Sequence, residues 1–334
     1  MSVTRQGLRG ERPPRDATVG VHSGRPRHER RTGGEQPMVP NATFDSYYGK
    51  PILNPPVWKA RDIAGYLFTG GLAGGSSLLA AGAHITGRLR LARRLKVGAL
   101  ASIGLSTAAL VHDLGVPSRF HHMLRVAKPT SPMSVGSWLL AAYGPSSGAA
   151  AVSALTGWFP RAGAVATATA GALGPAVASY TAVLLGNTAV PAWHEPAREM
   201  PFVFVASAAS AAGGLGLLVA PPDEAAPTRR FAITGAAAEL VASQIMKRRV
   251  GMVREPFETG RAGHLLRAGE VLTAGGLALS LMGRERRVLS ALGGASLVVA
   301  SAFTRFGIFH AGVQSAEDPK YVVEPQRARA RARS

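Results

Sequence analysis

Eight runs dominated by Ala, Gly, Leu and Val alternate with polar connections from residue 62 onward. They lie at 62–86, 95–114, 133–158, 162–188, 200–220, 228–248, 262–282 and 288–311. About 20 apolar residues, rising about 1.5 Å each as helix, cross a hydrocarbon core of about 30 Å, so each run predicts a transmembrane helix. The pattern is that of an all-α, polytopic membrane protein with both termini on one side.

Small residues recur inside the runs. Gly70, Gly71, Gly74 and Gly75 form overlapping GxxxG patterns, and the fourth, fifth and seventh runs are similarly rich in Ala and Gly. In lipid this predicts close backbone approach between helices and carries no chemistry of its own. Ahead of the first run, the aromatics and prolines of FDSYYGKPILNPPVWKAR suit an extended interfacial segment over 44–61, with Tyr47, Tyr48 and Trp58 at headgroup level. Residues 1–43 are rich in Arg, Gly and Pro and should be a disordered tail. No apolar stretch follows its basic residues as in a secretory signal, and Arg30-Arg31 lacks a twin-arginine setting. Met38 precedes the first foldable sequence and is a candidate translation start. The tail 313–334, ending RARARARS, is polar, basic and expected to fray.

Composition narrows the chemistry. The 334 residues include no Cys, which excludes disulfides, thiolate metal sites and an iron–sulfur cluster held by this chain. The net charge of +19 would suggest nucleic acid in a soluble protein. In a membrane protein with basic tails, the bilayer's anionic lipid or an acidic partner subunit is the simpler sink, and no nucleic acid is expected.

Between the second and third runs, HDLGVPSRFHHMLRVAKPTSPMSVGSW (112–138) is longer and more ionisable than a plain connection. Pro117, an amphipathic turn from Ser118 to Val126, then Pro129 and Pro132 suit a docking surface or a basic loop facing headgroups. Counting turns brings this loop, His112, Asp113, Asn187, Trp193, His194 and Glu195 to the side of the termini. Such a rim can form the mouth of a site for a small amphipathic ligand, or anchor the bundle at the interface. Asp113 reads either as a proton acceptor or as a helix-end acid paired with Arg119 or Arg125. Farther along, Glu239, Glu270 and Arg305 fall roughly 13, 12 and 9 Å deep from the same side. Their levels predict a buried cluster in which Arg305 bridges at least one carboxylate, as a structural clamp or part of a proton path. Ser179-Tyr180-Thr181 echoes Ala302-Phe303-Thr304, by a four-plus-four duplication or by chance.

YYGKPILNPPVW, GYLFTGGLAGGSSLLAAG, the 112–138 stretch, SYTAVLLGNTAVPAWHE and RFGIFHAG…DPKY together resemble the NrfD/polysulfide-reductase membrane-subunit family over about 44–326. The resemblance implies eight helices in two four-helix bundles, here 62–190 and 198–312 of a membrane domain at 44–312. It also implies no haem, and a site for a quinone, menaquinone or ubiquinone. An iron–sulfur (ferredoxin-like) subunit and a molybdopterin catalytic subunit are the implied partners. Tyr180, within SYTAVLL, matches the family's quinone-contacting tyrosine. The His and Asn that some members place early in helix one are missing from IAGYLFTGG, where Tyr66 and Thr69 are the polar substitutes. Haem would need facing histidines deep in a bundle, whereas His84, His112, His264 and His310 fall near span ends.

The residues agree in outline with quinol chemistry, which needs hydrogen-bond partners for two ring oxygens, a proton acceptor and apolar walls. Tyr180, Asp113, Tyr66 and Thr69 are the expected contacts; His112 and His122, with Glu239 and Glu270, are the expected proton-transfer groups. Arg119, Arg125, Lys128, Tyr48 and Trp58 are the expected partner-docking residues. On this reading the chain is a quinone-reactive anchor in the cell membrane, not catalytic alone. A secondary transporter, or an anchor without quinone chemistry, is the alternative. The excess of Lys and Arg beside the termini places them in the cytoplasm by the positive-inside rule.

Overall fold

The computed structural model describes residues 52–54, 56–114, 117–284 and 286–331. The N-terminal tail, Met38, Tyr47 and Tyr48 lie outside the described residues. Among the described residues all regular structure is helical. Eight helices have 20 to 31 residues. They are α1 (Ala60–Ile85), α2 (Leu89–Asp113), α3 (Pro132–Thr156), α4 (Pro160–Gly186), α5 (Met200–Val219), α6 (Ala226–Arg249), α7 (Gly260–Met282) and α8 (Arg287–Glu317). Each coincides with one apolar run, with its ends shifted by a few residues. All but α3 and α6 are long and apolar enough to cross a membrane. Those two have the length, but α3 is rich in Ser and Gly, and α6 carries Arg229, Arg230, Glu239 and three cations in its last turn.

Contacts divide the chain into a body made of Trp58–Thr188 and Ala192–Ala311 and a second unit that includes Gly312–Ser334. In the second unit the tail expected to fray is partly helical. A ninth helix, α9, covers Lys320–Arg331, and Asp318 caps it by accepting the Lys320 N–H at 3.0 Å.

Within the body, small polar residues share the interior with apolar ones, and many large apolar side chains lie on the outside. Ser76, Ser77, Ser106, Ser207, Ser301 and Thr273 are buried, while Leu105, Val165, Phe202, Val241 and Val271 are exposed. Hydroxyls tie helices together from inside: Ser106 Oγ donates to the Tyr66 carbonyl at 3.2 Å, Ser77 and Tyr143 hydroxyls meet at 2.8 Å, and Ser207 donates to Ser301 at 2.8 Å. Polar groups inside and apolar side chains outside are what lipid demands.

α1 packs on α2, α4 and α5, and the glycine pattern explains how. Gly70 faces Ser106 of α2, Gly74 faces Gly174 of α4, and Gly75 faces the Ala208 carbonyl of α5. At Gly74 the two backbones approach so closely that a Cβ on either glycine would overlap the other's carbonyl oxygen. Gly74→Val should therefore push α4 off α1 and destabilise the protein by about 1–3 kcal/mol or more. Gly65→Ala, which meets nothing within 4 Å, serves as the control. Equal melting temperatures for the two variants would show that the α1–α4 seam is not close-packed.

The long connection after α2 is a built element. A 3-10 helix covers Pro117–Arg125, where the amphipathic turn is expected. The Val126 carbonyl then accepts from Ser134 Oγ at 2.7 Å and Trp138 Nε1 at 3.2 Å, while Ser134 Oγ accepts the Lys128 N–H at 2.9 Å. α3 starts under this clasp with Ser131 as N-cap and proline in its first turn.

Candidate functional site

α1 starts and α2 ends side by side, and this juxtaposition builds the site. Asp62, in the first turn of α1, is buried, and its Oδ2 lies 3.0 Å from Nδ1 of His112 at the end of α2. The Asp62 side chain is 10% exposed and that of His112 66%, so the pair links a buried carboxylate to an open imidazole. Position favours this acid, because the amino end of a helix carries partial positive charge. One turn further along α1, Tyr66 is buried and meets Tyr180 of α4 edge to face, ring centroids 6.5 Å apart. The Tyr180 ring rests on Gly136 of α3, where any side chain would overlap it. Among the described residues neither phenol hydroxyl has a hydrogen-bond partner. Four helices thus converge two phenols, a carboxylate and an imidazole.

Other expected members of this site fare differently. Thr69 is half-buried and donates its hydroxyl to the Gly65 carbonyl at 2.8 Å, so its proton is used within α1. Asp113 is half-buried, and among the described residues no ion pair joins it to Arg119 or Arg125. His122 is exposed, its ring against that of His121. Arg119, Arg125 and Lys128 are exposed, with Phe120 and Val126 exposed between them. Trp58 stacks on Trp193 at 5.7 Å, and Trp193 is fully buried, its Nε1 donating to the Ile308 carbonyl at 2.9 Å. Trp193 is therefore a core residue rather than an interface anchor, and one face of Trp58 is occupied within the chain.

Farther along the chain, Glu239 on α6 and Glu270 on α7 line one narrow cleft together with Ser243, Lys247, Thr273 and Thr304. Lys247 Nζ lies 2.5 Å from Glu270 Oε1, and Thr304 Oγ1 donates to Glu239 Oε1 at 2.9 Å. The expected Arg305 bridge needs correction. Arg305 is buried, but it donates to the Phe204 carbonyl at 2.7 Å and stacks over the Phe204 ring at 3.9 Å. Among the described residues it makes no ion pair. Position along the helix sets depth, whereas the turn of about 100° per residue sets direction. Thr304 therefore points to Glu239, and Arg305 points to α5.

Three residues escaped the sequence reading. Asp62 stands four residues before Tyr66, hence on the same helix face. Lys247 lies eight residues after Glu239 with Ser243 midway, one polar stripe along α6. Lys96 is buried and shares a small cavity with Ser77, Ser147 and Thr167; as one cation in a basic helix start, it gave no distinguishing signal.

A family model described as polysulfide reductase, of the NrfD type, matches residues 44–317. No curated protein matches the chain. The match spans most of the sequence, including all the apolar helices and both polar clusters. With its exposed apolar side chains and its membrane-length helices, the chain belongs to the NrfD/polysulfide-reductase family, as a multi-pass membrane subunit of an oxidoreductase complex.

Proposed function

We propose that the chain binds a quinone, menaquinone or ubiquinone, among α1 to α4 and passes protons between that site and the membrane surface. The observation that carries this reading is the pairing of buried Asp62 with open His112, beside the edge-to-face phenols of Tyr66 and Tyr180. The residues fit the group. Two phenols without hydrogen-bond partners among the described residues can serve two ring oxygens. A bound quinol supplies two electrons and two protons. Asp62 takes a proton at Oδ2 and His112 moves it outward through its open ring, since one imidazole nitrogen can accept while the other donates. Tyr66 and Tyr180 orient the ring, while Thr69 and Asp113 border the site. Glu239 and Glu270 line a further proton route along the α6–α7 cleft.

In this reading all eight long helices span the membrane as two four-helix bundles, α1–α4 and α5–α8, in the cell membrane with cytoplasmic termini. An iron–sulfur subunit docks on 117–138 and connects the quinone to a molybdopterin subunit. The exposed Arg119, Arg125 and Lys128, interleaved with Phe120 and Val126, give that surface both charge and apolar area. Association should weaken with added salt. The double variant Arg119→Glu/Arg125→Glu should cost several kcal/mol and abolish co-purification. A complex that survives both high salt and double reversal would move the docking surface elsewhere. A secondary transporter would instead purify and work without an iron–sulfur partner.

A further inference from the structure

At the opposite ends of the helices from Asp62 and His112, α2 begins, α5 ends and α8 begins around one cavity of about 630 Å³. Arg90, Arg93, Arg94 and Arg287 line it, with Leu155 and Leu218 among its apolar lining. Among the described residues the local acids are already engaged. Asp223 and Glu224 both pair with Arg90, and Glu224 also accepts the Leu91 N–H at 2.7 Å, capping α2. Arg94 and Arg287 are held by backbone: Arg94 donates to the Val219 carbonyl and Arg287 to the Ala220 carbonyl, the latter at 3.1 Å. These carbonyls lie at the negative end of α5, which fixes the two guanidinium groups while leaving other donors open. Arg93 makes no hydrogen bond or ion pair among the described residues. Among the described residues, three cations without a carboxylate partner thus surround one hollow.

The surroundings identify the anion. Trp158 and Phe159, exposed just beyond Leu155, mark the headgroup level at this end of the bundle. Leu155 is itself largely exposed and offers an apolar wall leading away from the arginines. A soluble phosphate would leave that wall uncovered, whereas a lipid meets both halves. The planar guanidinium matches phosphate oxygens in paired hydrogen bonds. We propose that this cavity binds the phosphate of an anionic glycerophospholipid, with an acyl chain laid along Leu155. The site is independent of the quinone reading.

The test uses the full-length protein, delipidated in detergent, and native mass spectrometry with dioleoyl phosphatidylglycerol, dioleoyl phosphatidylcholine or inorganic phosphate as probes. Phosphatidylglycerol should be retained in preference to both others. Arg93→Gln and Arg287→Gln should each weaken its retention roughly fivefold, while Arg161→Gln, on the same side but outside the cavity, should not. Arg93 makes no hydrogen bond or ion pair among the described residues, so its variant reads the ligand even where loss of the Arg287 bond weakens the protein. Equal retention of phosphatidylcholine would overturn the proposal. So would inorganic phosphate bound as well as the lipid, which would mark a free-anion site, or an Arg93→Gln protein that retains the lipid unchanged.

Discussion

Asp62→Asn should lower quinol oxidation by the assembled complex by about 10²- to 10⁴-fold, the usual worth of a positioned proton acceptor. An amide keeps the shape and can still meet His112 Nδ1 across the observed 3.0 Å, so the helix ends should hold together. What it cannot do is accept and release the quinol proton. The loss should therefore fall on kcat. Tyr180→Phe should act differently, raising KM by about tenfold through one lost hydrogen bond while its ring still packs on Gly136. His112→Gln should fall between the two, because its ring is largely exposed and water can replace the outward half of the relay. Steady-state kinetics on the three variants, with assembly checked by co-purification, separates binding from proton transfer. An Asp62→Asn complex with unchanged kcat, alongside an inactive Asp113→Asn complex, would place the relay at the end of α2 instead. If Tyr180→Phe alters neither constant, the chain is an anchor without quinone chemistry.

The helices were legible in the sequence because lipid acts on average composition over about 20 residues, a signal that survives local error. The clasp over Pro117–Trp138 was legible for a different reason: prolines and an amphipathic turn in a connection leave few other arrangements. Side-chain partnerships were not legible to the same degree. Asp62 opens α1 and reads as an ordinary first-turn acid until α2 brings His112 beside it, 50 residues later. Glu239, Glu270 and Thr304 share one cleft, yet depth along an axis does not say which neighbour each side chain meets. Lys247 supplied the missing counter-charge. It lies in the last turn of α6, among cations that helix ends commonly carry, and reaches back to Glu270 rather than out to water.

That rearrangement changes what losing Arg305 should do. Glu270 has its own partner, so only Glu239 depends on the guanidinium, across space rather than through a direct contact. Arg305→Met removes the donor to the Phe204 carbonyl and the cation over the Phe204 ring. It also leaves Glu239 in the interior with hydroxyl neighbours alone, Thr304 donating to it at 2.9 Å. Against these losses stands one gain: Nε and Nη1 of Arg305 are buried without partners, and their desolvation cost disappears. The lost carbonyl bond and ring contact are the larger item, so the variant should lose about 1–3 kcal/mol of stability. Glu239→Gln should lose less, because the amide oxygen can keep the Thr304 bond. The double variant should then recover about 1–3 kcal/mol relative to the sum of the single changes, since the charge that Arg305 offsets is gone. Glu270→Gln combined with Arg305→Met should show no such recovery. Unfolding of the purified protein in a graded denaturing detergent measures all five proteins on one scale. Strict additivity for Arg305 with Glu239, or coupling of equal size with Glu270, would mean that Arg305 and Glu239 do not sense each other.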